Sequence, residues 1–410
     1  MNLKLKILVS QLGARHRYLI PFILQKNNLL GYLFTDSTKY SFAGRISTLV
    51  NKIMNNQFKL FYRLAKRDPK LPKEKVKTFD TLLLNKVLLK KKLSKYEIMY
   101  QSLSKSFIKK ETNDCNILYS MFFENIDFVR HCKSKGMTIV IDIYENPFGF
   151  KMLKNEIESH NEFSVFDNLK TDYLEKDKFR NKYVEEVLGL ADYYTLPSRY
   201  VEKNMLNYKN FDISKSKIIP YPSSITVNKY NYRPIKRRLV WVGNDIVRKG
   251  LIYCAKAATI LRNKYPDLEF IVAGSIPNEI IVNSTFKDLK FVGVCNKEEL
   301  IELFETSEAY VFPTLFEGFA GTVIEAASCG CPIITTENSG IDVNSFPAII
   351  IKEKNVSEIV EAVENLFENN DFKNQLSYNV FEYAKNLSPT IYEKHLIEFF
   401  KSINVKNTII

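Results

Sequence analysis

This sequence lacks the usual signals for metal ligation, disulfide stapling and membrane crossing. Its four histidines, at 16, 131, 160 and 395, are scattered, and its six cysteines, at 115, 132, 254, 295, 329 and 331, form no C-x-x-C pair. Buried reduced thiols are expected rather than a disulfide framework or a zinc site. No stretch reaches the roughly 18 uninterrupted apolar residues of a membrane span. Apolar runs such as residues 19–24 and 348–351 have the size of a strand or a helical turn. The apolar run 5–9 ends in Ser10-Gln11, too short for a secretory signal. Nor is there an internal repeat at a period of 20–50 residues. A cytoplasmic protein is expected, resting on the inner face of a membrane rather than crossing it.

What is present is a folding chain of unequal halves. Its 410 residues exceed one ordinary core and fit two domains of about 200 residues each. An apolar fraction of 45% with 13% aromatics excludes a largely disordered protein. The formal net charge is +13, yet residues 1–110 carry 24 Lys+Arg against 5 Asp+Glu, leaving the other 300 residues net negative. Segregation of this kind points to an anionic partner for one half: a membrane surface, an anionic lipid or glycan acceptor, or nucleic acid. The bland alternative is a lysine-rich solvated helix face.

Along the chain, a strand over 4–10 ends at Gln11-Leu12-Gly13, and a helical pattern follows from Arg15 to Lys26. Strand, glycine turn and helix open a doubly wound α/β domain. Residues 45–110 read as basic helices, with apolar residues at 83, 84, 87 and 88. Strands are expected at 116–119, 138–144, 193–196 and 217–220, and helices at 126–136, 150–188 and 199–206. A proline-bearing polar stretch from Tyr221 to about Pro234 reads as a linker. Beyond it the same rhythm restarts. Strands are expected at 238–242, 269–273, 289–292, 309–312, 332–335 and 348–351. Helices fall at 249–264, 297–306, 321–329 and 357–368, with a last amphipathic helix over 389–403. Strands alternating with helices of this length predict parallel sheets covered on both faces. The expected domains span 1–225 and 235–385.

In open α/β sheets, ligands bind outside the carboxyl ends of the strands, and three loops there carry candidate chemistry. The first runs from Gly243 and Asn244 to Arg248, Lys249 and Gly250. Two cations at the mouth of a helix, whose N-terminus is already partly positive, call for an anion such as a diphosphate. An exposed basic turn is the plain alternative. The second loop holds Glu317, Gly318, Phe319, Ala320, Gly321 and Thr322, followed by Glu325 on the helix. Free amides at Ala320, Gly321 and Thr322 would face a ligand, and two carboxylates about 6 Å apart or more along the axis could each accept from a diol. A nucleotide sugar has that layout of hexose, diphosphate and ribose. The alternative makes Glu317 a helix-charge partner and Glu325 a surface residue. The third loop, Gly13 to Arg15 and Arg17, closes the first strand and could face the same phosphates.

Taken together, Glu317-Gly318-Phe319, then Glu325-Ala326 and Gly330-Cys331-Pro332-Ile333-Ile334, resemble the Glu-x7-Glu signature of family-4 retaining glycosyltransferases. Val242-Gly243 with Arg248-Lys249-Gly250 resembles that family's phosphate loop. Ala191-Asp192, Pro197-Ser198 and Ile218-Ile219-Pro220-Tyr221 are also similar to it. The likeness covers about residues 185–385 well and the N-terminal third only through Gly13, Arg17-Tyr18, Leu29-Leu30-Gly31 and Thr35-Asp36. It implies a glycosyltransferase B architecture, two facing Rossmann-like domains with the donor on the C-terminal one, the acceptor on the N-terminal one, and residues 386–404 crossing back onto the first domain. It further implies that Glu317 binds hexose hydroxyls, Glu325 the ribose, Arg248 and Lys249 the diphosphate, and backbone near Val294 the base. Two departures stand out. Asn244 occupies a place where the family often has Arg, and Ala320 replaces a usual glycine.

Negative charge grows on the leaving phosphate as the anomeric C–O bond breaks. No Asp-x-Asp pair is present to hold a metal there, so fixed cations and helix amides are expected to stabilise it. No cofactor is expected; the donor would be a UDP- or GDP-sugar. Retention is an implication of the family. On the acceptor side, the loop Tyr144-Glu145-Asn146 and Arg15 are candidates, a structural turn fixed by Pro147 being the alternative. The expected activity is hexosyl transfer to a glycan or lipid-linked acceptor, in cell-surface polysaccharide or lipopolysaccharide synthesis, with peripheral contact to an anionic membrane. A nucleotide-sugar epimerase or a sugar phosphorylase of the same architecture, or a non-catalytic nucleic-acid binder, are the competing classes. The last is disfavoured by the acidic C-terminal portion and the lack of a nucleic-acid motif.

Overall fold

Short runs of apolar residues buried on both faces are what a parallel sheet between helical layers requires, and this chain forms two such sheets. The computed structural model describes residues 5–53, 62, 64–80, 103–110, 114–160 and 163–405. Its first sheet contains β1 (Ile7–Ser10), β2 (Leu30–Thr35), β3 (Val76–Thr78), β4 (Ile117–Met121), β5 (Thr138–Asp142), β6 (Tyr193–Leu196) and β7 (Ser216–Ile218). The second contains β8 (Arg238–Val242), β9 (Glu269–Ala273), β10 (Leu289–Gly293), β11 (Ala309–Phe312), β12 (Ile333–Thr336) and β13 (Ile349–Ile351). The strand orders are β3-β2-β1-β4-β5-β6-β7 and β10-β9-β8-β11-β12-β13. All pairings among the described residues are parallel. In each sheet the order reverses once, between β1 and β4 and between β8 and β11. A crevice opens at such a point beyond the strand ends.

Several elements differ from the expectation. A strand, β2, occupies 30–35, and another, β3, lies inside the stretch read as basic helix. Helix Phe42–Ile53 agrees with that reading in part, while residues 81–102, with the leucines and valine at 83–88, lie outside the described residues. Residues Arg15–Tyr18 form a short 3-10 turn with His16, Arg17 and Tyr18 at φ of 45°, 52° and 62°, and the helix begins at Leu19. An additional helix, Asn370–Ala384, went unread. The helix expected from 249 starts at Leu251. Gly250 is its N-cap at φ 70°, and a Cβ there would also lie 2.1 Å from the Pro313 carbonyl oxygen. Arg248 and Lys249 therefore lie in the preceding turn.

Two connections bind the sheets together. Helix Pro389–Ser402, capped by the Ser388 hydroxyl, buries Tyr392, Leu396 and Phe400 among Ile7, Val9, Ile117 and Tyr119 of the first sheet. Each fully buried side chain of this kind contributes about 1.5–3 kcal/mol. Lys26 and Glu393 pair across the same contact at 2.9 Å. In the other direction, Leu153 and Ile157 of helix Gly149–Ser159, with Phe163 beyond it, sink into the core of the second sheet. Glu156 on that helix accepts from Tyr253 and pairs with Lys354 at 2.6 Å. Gly149 permits the approach, since a Cβ there would meet the Phe316 ring at 2.1 Å.

Between these contacts lies a buried polar knot. The Asp142 carboxylate at the end of β5 accepts from Tyr221 at 3.0 Å and from Thr195 at 3.2 Å, and Thr195 also meets the Tyr119 hydroxyl. Burial raises the Asp142 pKa to about 6, opposed by these hydroxyls and by Arg15.

Candidate active site

The reversal between β8 and β11 brings the first two candidate loops side by side. After β8, the Asp245 carboxylate accepts from the Arg248 backbone amide at 3.1 Å and its Nε at 3.0 Å, and from the Tyr173 hydroxyl at 2.8 Å. Asn244 turns the other way, its Oδ1 accepting from the Ser275 amide at 2.7 Å. The missing side chain of Gly243 leaves room for the Lys249 stem, whose Cδ would lie 2.5 Å from a Cβ.

After β11, Glu317 donates its amide to the Asn338 carbonyl at 2.7 Å and pairs through its carboxylate with Arg248. Arg248 also reaches the Phe316 carbonyl at 3.3 Å. Burial alone would lower the Arg248 pKa, and Glu317 and Asp245 more than reverse it. The cation expected to be open to a diphosphate is thus held by two carboxylates. Lys249 is different. Among the described residues it makes no ion pair, and its Nζ lies 3.5 Å from the Val242 carbonyl and 5.0 Å above the Phe312 ring. Burial lowers its pKa, Glu317, Asp245 and Glu325 oppose the shift, and Arg248 adds to it. Lys249 is therefore the cation of the cluster that no carboxylate contacts directly among the described residues, although Glu317, Asp245 and Glu325 act on it through space.

The helix Gly321–Ser328 starts at the same place. Its geometry corrects the expectation of three free amides, because the Ala320 amide donates to the Ser339 carbonyl at 2.9 Å. Gly321 and Thr322 stay at the helix start, where backbone amides lack intrahelical acceptors, and the space over Gly321 is open. The Thr322 hydroxyl accepts from Tyr310 at 2.8 Å. Glu325, on the fifth residue of the helix, accepts from the Ser224 hydroxyl at 2.6 Å. Burial raises its pKa against the pull of Ser224, Lys249, Arg17 and Lys297. Glu317, Glu325, Lys249 and Arg248 thus share one neighbourhood. Val294, 70% exposed, follows β10, whose last residue Gly293 accepts from the Gly274 amide at 2.7 Å.

The loops of the first sheet answer from across the cleft. Gly13, at φ 68°, donates its amide to Asp36 at 3.0 Å. Arg15 binds Glu124 through Nε at 3.1 Å and Nη2 at 2.8 Å, and Tyr144 at 2.9 Å. Glu145 holds Arg180 at 2.6 Å, and Asn146 accepts from the Phe148 amide at 3.0 Å. The acceptor-side candidates are internally satisfied. Phe319 packs against both cores, and the Gly318 carbonyl accepts from Ser198 at 2.7 Å. A cleft of about 270 Å³ between the halves is lined by Tyr144, Glu145, Arg180, Arg248, Glu317 and Phe319, among others.

Sequence reasoning passed over Glu124, Tyr173, Ser224 and Tyr310. Glu124 had a readable signal, a carboxylate just beyond an apolar strand. Ser224, within the proposed linker, had none. Among the described residues, no three His, Cys, Asp or Glu side chains gather as a metal site, and no helix is long and apolar enough to cross a membrane.

Comparison with known proteins bears on this geometry. Residues 236–369 match the family model described as glycosyl transferases group 1. An N,N'-diacetylbacillosaminyl-diphospho-undecaprenol alpha-1,3-N-acetylgalactosaminyltransferase of Campylobacter jejuni is 22% identical over 230 residues, covering 50% of this chain and 60% of that protein. The capsular polysaccharide biosynthesis glycosyltransferase CapH of Staphylococcus aureus is 26% identical over 196 residues, 44% of this chain and 54% of CapH. The chain spans about three fifths or less of the length of these relatives. The solved structure of Anabaena Alr3699/HepE with UDP and glucose superposes with a TM-score of 0.62 at 11% identity, over 97% of this chain and 100% of that one. That likeness is one of fold. The chain thus has the two-domain GT-B architecture, and its residues 236–369 match the group 1 glycosyl transferase family.

Proposed function

We propose that the protein transfers a hexose from a nucleotide-diphosphate sugar to a glycan or lipid-linked acceptor, with retention and without a metal ion. The Lys249 ammonium carries this reading: a buried cation with no direct ion pair among the described residues, in the neighbourhood of Glu317 and Glu325 and of the helix that starts at Gly321. A donor diphosphate supplies the direct anionic partner. Glu317 takes the hexose hydroxyls and Glu325 the ribose, while Arg248, tied to Asp245 and Glu317, positions Glu317. As the anomeric bond breaks, Lys249 and the helix amides stabilise the charge growing on the leaving phosphate.

The printed names of the relatives support the acceptor class, one carrying diphospho-undecaprenol and one belonging to capsular polysaccharide synthesis. UDP and glucose in the HepE structure support a UDP-hexose donor. Contact with an anionic membrane is part of this proposal. Helix Phe42–Ile53 exposes Phe42, Ile46 and Leu49 along one face, within the first 110 residues of net charge +19.

A metal-free thermal-shift panel of UDP-, GDP- and ADP-sugars tests the reading. A ligand at 100 times its Kd adds about 2.7 kcal/mol of stability. A folded protein that none of them stabilises would sink the proposal, and an inverted anomeric configuration in the product would remove retention.

A further inference from the structure

A second, larger cleft of about 860 Å³ lies away from the Arg248–Glu317 pair. Its walls come from residues 14–22 and 66–70 of the first half, from linker residues 222–226 and from Pro389; no loop of the second sheet lines it. Three cations border it, Arg17, Lys66 and Lys70, and none forms an ion pair among the described residues. Its lining acid, Asp68, is already engaged by Lys39 at 2.5 Å and by the Lys70 amide at 2.9 Å. The wall thus holds three exposed cations against one carboxylate that Lys39 already engages, a positive potential that favours an anion.

The backbone that presents this wall is unusual. His16, Arg17 and Tyr18 occupy the left-handed region in succession, which is disfavoured for residues with a Cβ and persists where the surroundings enforce it. Here the His16 ring is held against Tyr221 at 4.0 Å, and Tyr221 is anchored on Asp142. Arg17 lines the cleft, near enough for the Glu325 carboxylate to feel its charge. Ser224 lines the cleft and also bonds Glu325, so the two sites adjoin. Leu19 and the half-exposed Phe22 add an apolar wall beside the cations.

We propose that this cleft binds the phosphate group of the acceptor, with Arg17, Lys66 and Lys70 as its ligands. The assignment rests on the glycosyl-transfer reading and deepens it. The donor phosphates belong to Lys249 and the second sheet, whereas this site belongs to the first half. It fits either a soluble phosphomonoester or the headgroup of a phospholipid whose chain lies along Leu19 and Phe22.

The test is calorimetric titration of the full chain saturated with UDP, which fills the donor site. The probes are glycerol 3-phosphate, dioctanoyl phosphatidic acid and, as the uncharged control, dioctanoylglycerol. Binding of either phosphate, weakened at least tenfold in the Lys66→Ala/Lys70→Ala double variant with UDP affinity kept within twofold, supports the proposal. Binding of phosphatidic acid alone identifies a lipid source; binding of glycerol 3-phosphate identifies a soluble one. The exposed charge reversal Lys66→Glu gives the same readout should the double variant fold poorly. Equal affinity for dioctanoylglycerol, no binding of either phosphate, or unchanged affinity in the variants overturns it. Failure of UDP to bind the wild type would sink the donor reading instead, and the phosphate titration is then read without UDP.

Discussion

The two sheets follow one plan, with strand order reversing once in each, yet they are furnished in opposite ways. In the second half the loops at the reversal are drawn tightly around one another, and one cation, Lys249, has no direct ion pair among the described residues. In the first half the corresponding loops neutralise themselves through Arg15–Glu124 and Glu145–Arg180, and the unpaired cations sit off to the side at Arg17, Lys66 and Lys70. The family match is likewise confined to residues 236–369, although the fold extends over nearly the whole chain. A shared backbone plan therefore does not carry a shared site. What each half holds is set by which charges its loops leave unmatched.

The comparison breaks most sharply at Lys249. Lys249→Ala should lower kcat by 10²–10³, about 3–4 kcal/mol of transition-state stabilisation, with a normal melting profile; near-wild-type turnover would end the contrast. Glu317→Ala should be nearly as severe, because it removes a sugar contact and frees Arg248 at once.

Asp142 gives a prediction for the first half. Its pKa is raised from 3.8 to about 6, so the folded form holds its proton more tightly than the unfolded chain. Stability is fully present below pH 3.8, falls as pH rises to about 6, and stays lower above, by about 3 kcal/mol. Asp142→Asn should flatten that fall, apart from a constant offset from its amide. Urea unfolding at pH 4.5 and 7.5 measures it, and parallel pH profiles for the two proteins would contradict the burial argument.

Smaller effects follow at the seam. Ser224→Ala removes one charge-assisted hydrogen bond to Glu325, and donor KM should rise by about tenfold, or 1.5 kcal/mol, with kcat little changed. Smallest in stability terms, Phe42→Ser/Leu49→Ser should leave unfolding within about 0.5 kcal/mol while reducing sedimentation with anionic vesicles. Undiminished sedimentation would remove membrane contact from the role of the first half.

The second half was more legible in sequence for a physical reason. Strands such as Leu239–Val242 and Ala309–Phe312 are buried on both faces and read as uninterrupted apolar runs. β3 was missed because it is three residues long at a sheet edge, with Lys75 before it and Lys77 at its centre. β2 was missed because Gly31 and Tyr32 interrupt its apolar pattern. The left-handed run at 16–18 has no sequence signature, since no glycine marks it. Of the candidate site, Glu317, Glu325, Arg248 and Lys249 stood out at strand ends, where spacing left plain alternatives open and the family resemblance singled them out. Their division of labour was not readable, because whether Arg248 or Lys249 lacks a direct ion pair depends on Asp245 and Glu317 meeting one guanidinium in space. Glu124 gained its meaning from Arg15, 109 positions away.

Helix Gly149–Ser159 has a consequence for anyone who would dissect or recombine this protein. Because Leu153, Ile157 and Phe163 fill the neighbouring core, cutting the chain in the linker would strand a greasy plug on one fragment and an empty socket on the other. Grafting a foreign second half onto this first half would have to carry the socket with it, or redesign the plug to match.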